Sequence, residues 1–471
     1  MRFCFGRIRP TRRDFGALLG LSLAAGLLLG APQARGNSDP FAGVEEKGTG
    51  IGAMYRWERS PYKGAGARPD FMPLYLYEGE HLYLHSNSVG LKVPVGSSGL
   101  RFDAFLQRRF ESSPYDPVPE SLAGMAIREP GIDAGLRVRM PLGEGSVHAE
   151  VLHDVTHLSH GSELRVGYRY AWRRGNLWLR PYAMVGFRDA KLNDYYYGVR
   201  PEEATPDRPA YAAGAGVMPE IGIWGAYSLT ERFRLIGGFT LARWPQSVIS
   251  SPIVDSGLQW QVAGGVMYDL SPSPEKQIWA EARPLILRAY YGDSTDCNVL
   301  QVAEATCTTT HTADHTSVAA VEIGQMLLPR LYNWPLDIAV FAGLQRHFEA
   351  GFQPDFWSVR AYVKPYFYGF PWDAKVRTRI GLGLGLSYAE SIPLMEQRDL
   401  AARGRNSSKL LQTFDPTIDV NVGDIVNEKK LRSTYVGLGV SHRSGIFGSS
   451  QLYGNVDGGS NYIYVYLETG L

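Results

Sequence analysis

The feature that most constrains the fold of this chain is a repeated period-two alternation of apolar residues with polar or small ones. In SELRVGYRYAWRR, residues 162–174, the apolar side chains take every second position from Leu164 to Trp172, and charged residues or glycine take most of the others. In RTRIGLGLGLSYA, residues 377–389, Ile and Leu alternate with Arg and Gly. Successive side chains of a β-strand point to opposite faces. The pattern therefore predicts strands with one lipid-facing side and one polar or small side.

Two other fold classes are considered for this pattern. A helical membrane protein needs apolar runs of about 20 residues, and no run after the N-terminal leader approaches that length. A soluble β-sandwich also alternates, but here Tyr and Trp gather toward the strand ends, and arginines and glycines suited to a crowded lumen lie opposite. Backbone groups in lipid must be paired, so the sheet must close. We predict an all-β fold, a transmembrane antiparallel β-barrel.

The N-terminus predicts export from the cytoplasm. Residues 1–36 read as a cleaved signal peptide, with a basic start, an apolar stretch over about 15–29 and small residues before Asn37. The segment 11–15 also resembles a twin-arginine signal, but we favour the Sec route. The expected location is the Gram-negative outer membrane. A formal net charge of +1, with 20% charged residues, gives no electrostatic attraction to nucleic acid.

The second half predicts an eight-stranded barrel. The expected strands cover 277–290, 315–328, 336–347, 355–368, 375–389, 412–423, 431–446 and 460–470. The connections between them alternate between long and short. Long external loops and short periplasmic turns are typical of bacterial outer-membrane barrels, and an even strand count returns the C-terminus to the periplasm.

The first half, residues 45–270, predicts about 10–12 strands. The Pro-Ser segment SPSPEK, residues 271–276, is the expected linker. The second barrel then covers 277–471. Two tandem barrels are the preferred architecture, and one large barrel is the alternative.

The two cysteines that remain after the leader are Cys297 and Cys307, in one predicted external loop. Disulfides persist outside the cytoplasm, so we expect these two to form a disulfide that closes the loop. Nearby, His311, Asp314 and His315 in THTADH suggest a metal site, but such residues in a polar loop are more often solvated. We predict neither a metal nor a cofactor.

Five segments of the first half resemble the MltA-interacting protein family, also called MipA/OmpV. They are SPYKG at 60–64, LAGMAIRE at 122–129, DVTHLSHG at 154–161, DYYYGVRPEEA at 194–204 and SSPIVDS at 250–256. The resemblance covers about 50–270, and the chain continues for about two hundred residues beyond it. It implies an outer-membrane barrel with a scaffolding or envelope-homeostasis role, linked to murein hydrolase or synthase complexes and to stress or antibiotic response. It implies no catalytic residues.

The DVTHLSHG segment holds a group that resembles a nucleophilic cluster, namely Asp154, His157, Ser159 and His160. The group falls in a short polar turn between two predicted strands. Ser, His and Asp in such turns commonly cap the turn backbone. We therefore assign these residues a structural role.

The most specific candidate site is in VGLGVSHRSGIFG, residues 436–448, where His442 and Ser444 continue the apolar face of a strand. One interpretation is that the strand has left the membrane there. The other is a serine esterase, because residues i and i+2 of a strand point the same way and a histidine can activate a serine. Asp457 in the next external loop is the expected third member.

This second half resembles outer-membrane lipid A deacylases of the PagL type through its eight strands and its His-x-Ser pair. The resemblance implies Ser444 as nucleophile, His442 as general base and Asp457 as the orienting carboxylate, in a lipid A 3-O-deacylase-like esterase. Our main functional prediction is the MipA/OmpV-like role, and the esterase is the alternative. A passive channel is disfavoured because the Gly-Leu alternation predicts a narrow, filled second barrel. Expected partners are outer-membrane lipid and lipopolysaccharide, together with murein hydrolase or synthase complex proteins.

Overall fold

The computed structural model describes residues 48–95, 99–111, 118–270, 285–304, 306–310 and 314–471. These residues form two closed antiparallel β-barrels, one of twelve strands and one of eight, and not one large barrel. The predicted signal peptide over 1–36 and the predicted linker over 271–276 lie outside the described residues.

The first barrel closes through the pairing of β1 with β13, in which Gly50 lies opposite Asp269. A short strand, β9, continues β8 after Ala171 and pairs with β10, so the ring itself has twelve strands. The predicted range of 10–12 strands is confirmed at its upper limit. The strands are β1 Gly48–Arg59, β2 Ala67–Glu78, β3 Leu82–His85, β4 Ser88–Val95, β5 Leu100–Arg108, β6 Ile132–Leu142, β7 Gly145–Asp154, β8 Ser162–Tyr170, β9 Trp172–Arg174, β10 Leu177–Arg188, β11 Gly216–Ser228, β12 Phe233–Arg243 and β13 Leu258–Asp269.

The second barrel closes through β14 and β21, in which Ile286 lies opposite Gly470. Its eight strands confirm the predicted count. They are β14 Leu285–Ser294, β15 Ser317–Leu328, β16 Leu336–Phe348, β17 Phe356–Phe367, β18 Thr378–Ala389, β19 Leu410–Asn421, β20 Thr434–Ser444 and β21 Gly459–Gly470. We call the end that carries the long loops of both barrels the external end.

The described helices are short and lie between strands. The α-helices are α1 Ala190–Tyr197, α2 Gln246–Ile249, α3 Val299–Ala303, α4 Leu394–Ala402 and α5 Val422–Ile425. The 3-10 helices are Glu120–Leu122, Pro201–Glu203, Leu331–Asn333, Lys429–Leu431 and Gln451–Tyr453. Among the described residues, none of these helices has the length and apolar character needed to cross a membrane.

The residues that alternate in the sequence point alternately into the lumen and out of the barrel, as β21 shows. Tyr464 and Tyr466 point into the lumen and are 1% and 2% exposed. Val465 and Leu467, between and beyond them, face outward and are over half exposed. The outward residues therefore supply the apolar surface that a bilayer requires.

The Gly-Leu alternation of β18 makes room for large side chains inside the second barrel. A Cβ atom on Gly381 would lie 2.5 Å from Cε of Lys364, and one on Gly383 would lie 2.8 Å from Cβ of Asp415. Larger residues at these inward positions would collide with the side chains that fill the lumen. The glycines therefore allow this narrow barrel to be packed as a solid core.

The two barrels pack side by side. At the end opposite the external end, Ile51 and Leu270 of the first barrel join a cluster with Leu328 and Ile338 of the second. Tyr75 on β2 donates a hydrogen bond from its hydroxyl to the carbonyl of Gly385, in the external half of β18, at 3.4 Å. The contact thus runs along both barrel walls.

Although the strands of the first barrel form a closed ring, part of β2 has no strand partner on its β3 side, and the second barrel covers this open edge. β3 pairs only with the last three residues of β2, Leu76–Glu78. Residues 445–458, which we call the insertion loop, lie against the rest of β2. The N–H of Phe71 donates to the carbonyl of Ser449 at 2.8 Å, and Leu452 is fully buried in a cluster that includes Met72. The second barrel therefore completes the wall of the first.

Candidate functional site

Packed loops cover the external end of the first barrel, and we call them the external cap: residues 60–66, 118–131, 189–215 and 244–257. Four of the five segments that carry the family resemblance lie in these loops. Their apolar side chains form one buried cluster with the adjoining strand ends, made of Tyr62, Leu122, Leu192, Tyr196, Tyr197, Val199, Ala213, Met218, Ala242, Trp244, Val248, Ile253 and Val254. Most of the residues that carry the family resemblance therefore have a structural role in the external cap.

Hydrogen bonds tie these segments to each other through α1. The hydroxyl of Tyr62 donates to the carbonyl of Tyr196 at 2.9 Å, and that of Ser251 donates to the carbonyl of Tyr197 at 2.6 Å. Asp189 begins α1 by accepting from the N–H of Leu192, the usual role of an N-cap residue. The aromatic run of DYYYGV thus supplies both apolar contacts and backbone acceptors for the cap.

An ion pair holds two loops of the cap together. Both nitrogens of the Arg128 fork donate to the Glu203 carboxylate, at 2.8 and 2.6 Å. The N–H groups of Ala126 and Arg200 also donate to that carboxylate. Burial raises the pKa of Glu203, but the bonds from Arg128 and these two N–H groups outweigh it, and the pKa falls from 4.5 to about 2.

The Asp154 turn has a structural role, as the sequence analysis expects. Its carboxylate accepts from the N–H groups of Thr156, Ser159 and His160, at 2.7 to 2.9 Å. His157 and His160 adopt positive φ angles of 59° and 51°. The carboxylate thus caps a tight turn whose backbone needs a strong acceptor.

Of the three predicted esterase residues, His442 and Ser444 share one face of β20, whereas Asp457 lies apart from them in a pair with another residue. Nδ1 of His442 lies 2.6 Å from Oδ1 of Asn461, on the neighbouring strand β21. Asp457 pairs instead with Arg405, at 3.4 Å between Oδ2 and Nη2. Ser444 ends β20 opposite Gly459 and lies on the same outward face as His442. The partner of His442 is thus the side-chain amide of Asn461, because the β20–β21 register places the two residues directly opposite each other.

The outward face of β20 is covered near its external end. Leu438 is 55% exposed, whereas Val440, two residues nearer to His442, is 4% exposed. The His442 ring also meets the ring of Phe414 edge-on, with centroids 6.3 Å apart. Sequence reasoning expected a lipid-facing pair here and did not anticipate this packing.

A serine and a histidine in hydrogen-bond contact occur elsewhere, inside the second barrel. Nε2 of His347 lies 3.0 Å from Oγ of Ser358. Their side chains are 0% and 1% exposed, and His347 stacks on Phe356. Sequence reasoning missed this pair, although both residues occupy inward positions on adjacent strands. Their burial in a packed lumen favours a structural role.

Charged side chains fill the centre of the second barrel. Asp415 accepts from Arg288, Arg360 and Lys364, at distances between 2.5 and 3.1 Å. Glu322 lies 3.5 Å from both arginines. All five side chains are at most 1% exposed. Such a cross-section leaves no aqueous path at this level and favours a sealed barrel.

The interior of the first barrel is also held by ion pairs. Arg109 pairs with Asp133 and Glu163, at 2.5 and 2.9 Å, and Arg188 pairs with Glu111 at 2.6 Å. A cavity among these strands measures about 20 Å³, room for about one water molecule. At this level the interior of the first barrel is packed.

The external loop that precedes β15 contains the predicted disulfide, and Cys297 and Cys307 are bonded to each other. Asp314 pairs with Arg398 of α4, while His311 lies outside the described residues. Among the described residues, His, Cys, Asp and Glu form no group of three that could hold a metal ion.

Comparison with known proteins matches residues 50–270 to the family model described as MltA-interacting protein MipA. Outer membrane protein Omp26La of Vibrio anguillarum is 34% identical over 148 residues, which are 31% of this chain and 58% of that protein. Outer membrane protein OmpV of Vibrio cholerae is 32% identical over 148 residues, which are again 31% of this chain and 58% of that protein. The chain thus spans little more than half the length of these two relatives.

Putative outer membrane protein YiaT of Escherichia coli K12 is 24% identical over 231 residues, which are 48% of this chain and 92% of that protein. Solved outer-membrane proteins align at 7% to 10% identity with TM-scores of 0.19 to 0.26, too low to carry an argument.

Proposed function

Because residues 50–270 belong to the MipA/OmpV family of outer-membrane proteins, we propose that this chain is a scaffold that holds a murein hydrolase of the MltA type at the outer membrane. The observation that carries this proposal is the extent of the family match. It runs from residue 50 to 270, and the first barrel runs from Gly48 to Asp269. The family role would therefore reside in one complete barrel.

The packing of both barrels supports a scaffold over a channel. Ion pairs fill the second lumen around Asp415, and a cavity among the ion-paired side chains of the first barrel is of single-water size. A protein that conducts solutes needs a continuous polar passage. A packed barrel instead offers its rigid ends as binding surfaces.

The murein layer lies in the periplasm, so the hydrolase would meet the end opposite the external cap. In the first barrel that end consists of short turns, including 143–144, 175–176 and 229–232. Glu144 and Glu231 in these turns are exposed. Contacts at several short turns are the expected geometry for a partner that approaches along the barrel axis.

A photo-crosslinking residue at position 231 tests this proposal in cells that express an MltA-type hydrolase. The same residue at position 202, exposed on the external cap, is the matched control. We expect a crosslinked product from position 231 and none from position 202. Failure of both the crosslink and the co-purification of the hydrolase with the wild-type chain would overturn the scaffold proposal.

A lipid A esterase is the second candidate function, and one contact favours it. Oδ1 of Asn461 lies 2.6 Å from Nδ1 of His442. An amide oxygen at that distance can accept from the Nδ1–H group and fix the imidazole tautomer, as the third member of a catalytic triad does, so that Nε2 is the nitrogen that would accept a proton from Ser444. Asn461 would then take the place that the sequence assigns to Asp457.

Mass spectrometry of lipid A from cells that express equal amounts of wild type, Ser444→Ala and Ser441→Ala tests the esterase. Ser441 lies on the same strand and points into the lumen, so it is the matched control. Loss of one hydroxyacyl chain with wild type and Ser441→Ala, but not with Ser444→Ala, would support catalysis. Identical lipid A in all three strains rejects it.

A further inference from the structure

A cleft of about 430 Å³ opens between the two barrels at their external ends. One wall comes from the first barrel, at 127–132 and 155–158, and the other from residues 405–409 of the second. Arg108, which ends β5, and Gly454 of the insertion loop also line it. Neither barrel forms this cleft alone, and it lies at the strand ends, where the outer leaflet meets water.

The decisive residue of the cleft is Arg108, which is only 7% exposed. Its Nη2 donates a long hydrogen bond of 3.4 Å to Oγ of Ser408. Within the described part of the chain, its Nε has no hydrogen-bond partner, and no carboxylate lies within 4.0 Å of its guanidinium. Arg108 is therefore a buried cation that no described carboxylate contacts, and Glu129 of the same cleft acts on it only from a longer distance.

Its sequence neighbour shows how unusual this is. Arg109 is also buried, and it is paired with both Asp133 and Glu163. Removing a charged group from water costs several kcal/mol unless an opposite charge compensates. A guanidinium held at the bottom of an open cleft, with no carboxylate in contact with it, is suited to an anion that enters from outside.

The remainder of the lining defines the chemistry of that anion. Lys409 and Arg405 are exposed at the mouth, and Glu129 is the one acidic side chain in the described lining. Ile127 and Val155 contribute apolar surface and are 56% and 44% exposed. The cleft thus has one cation at its bottom, others at its mouth and an apolar wall beside them. This arrangement suits a molecule in which a phosphate is attached to a hydrocarbon or sugar.

We propose that this cleft binds a phosphate-bearing group, and that its occupant is the phosphorylated headgroup of an outer-leaflet lipid. Arg108 contacts the phosphate at depth, Lys409 contacts it from the mouth, and the apolar wall packs against the lipid body. Gly454 and Ser408 back the guanidinium, because a Cβ atom on Gly454 would lie 3.2 Å from Cβ of Ser408 and 3.8 Å from Nη2 of Arg108. The proposal does not depend on the scaffold or the esterase.

The test uses the purified full-length protein in a neutral detergent and measures binding of diphosphorylated lipid A, the same lipid after phosphatase treatment, and inorganic phosphate. Native mass spectrometry counts bound lipid, and thermophoresis gives the affinities. We expect Arg108→Met to weaken binding of phosphorylated lipid A by about tenfold to a hundredfold, the usual range for losing hydrogen bonds to a charged group. Lys409→Ala should weaken it less.

Two control variants separate binding from folding. Lys375→Ala removes an exposed charge at the opposite end of the second barrel and should leave lipid affinity unchanged. Ser408→Ala removes the bond from Arg108 but keeps the charge, so it should retain most of the affinity. In lipid-free detergent, Arg108→Met should unfold at the same urea concentration as wild type or at a higher one, because it removes an uncompensated buried charge.

The three ligands distinguish the source of the anion. Binding of phosphorylated lipid A, with much weaker binding of inorganic phosphate, assigns the cleft to the lipid. Comparable binding of both assigns it to the phosphate group alone and overturns the lipid as occupant. Equal binding by wild type and Arg108→Met, or equal binding of the phosphatase-treated lipid, overturns the whole proposal.

Discussion

The backbone N–H of Gln451 donates to Oδ1 of Asp70 at 2.7 Å, across 381 residues of sequence. Asp70 belongs to β2 of the first barrel, and Gln451 belongs to the insertion loop of the second. The side chain of Gln451 also accepts from Arg68. The open edge of one barrel is thus closed by a loop of the other, and the two barrels form a single folded unit at this point.

We expect Asp70→Ala to destabilise the protein by about 3 to 5 kcal/mol, the usual cost of leaving a buried ion unpaired. Asp70 is fully buried and pairs with Arg56 at 2.5 Å. Asp255→Ala is the control, because its pair with Arg59 is exposed and longer, at 3.6 Å, and such pairs contribute about 1 kcal/mol or less. Urea unfolding in detergent measures both. Equal midpoints would contradict the role given to Asp70.

The filled lumens predict that the wild-type protein conducts no steady ion current in a planar bilayer. Arg288, Arg360 and Lys364 surround Asp415 across the second barrel, and moving any of them would separate a buried ion pair. A reconstituted porin measured under the same conditions provides the positive control. A reproducible single-channel conductance from the pure protein would show that one of the barrels is open.

The external cap should loosen in acid. The folded pKa of Glu203 is lowered from 4.5 to about 2, so its stabilising contribution is complete above pH 4.5 and is lost as the pH falls from 4.5 to about 2. We expect pepsin to cleave the cap progressively faster across that window. Arg128→Met should flatten this dependence, because the ion pair lowers the pKa.

Glu202→Gln is the control for the acid experiment, since Glu202 is an exposed neighbour in the same loop. Its cleavage profile should match that of the wild type. A profile for Arg128→Met that matches the wild type as well would show that the ion pair does not hold the cap.

Reduction of the disulfide should affect one loop and leave the barrels closed. Cys297 and Cys307 are ten positions apart, and closing a loop of that length removes about 2 to 3 kcal/mol of chain entropy from the unfolded state in the usual model. We expect Cys297→Ser/Cys307→Ser to be cleaved sooner within 295–316, with unchanged heat-modifiable migration in gels. Dithiothreitol should reproduce this in wild type and add nothing to the variant. If the variant no longer showed the heat-modifiable gel migration of a folded barrel, the disulfide would not have a purely local role.

Much of the fold follows from local periodicity. The segment 336–347 predicts a strand, and β16 covers Leu336–Phe348. The alternation of 380–386 predicts a narrow barrel, and Gly381 and Gly383 do make room for packed side chains. These predictions succeed because each strand carries its own inside and outside pattern, whatever its neighbours are. For the first strand of the second barrel, predicted over 277–290, residues 277–284 lie outside the described residues, and the described strand Leu285–Ser294 extends four residues beyond the predicted end.

The sequence by itself determined a chain of alternating strands that must close as a barrel, with two barrels preferred over one, and a loop containing two cysteines. Only the tertiary structure decided that His442 meets Asn461 and not Asp457, that the insertion loop covers β2, and that Arg109, rather than Arg108, pairs with Asp133 and Glu163. The physical reason is distance along the chain. A strand pattern depends on adjacent residues, whereas these contacts depend on the register between strands and on how two barrels pack, and a single sequence records neither.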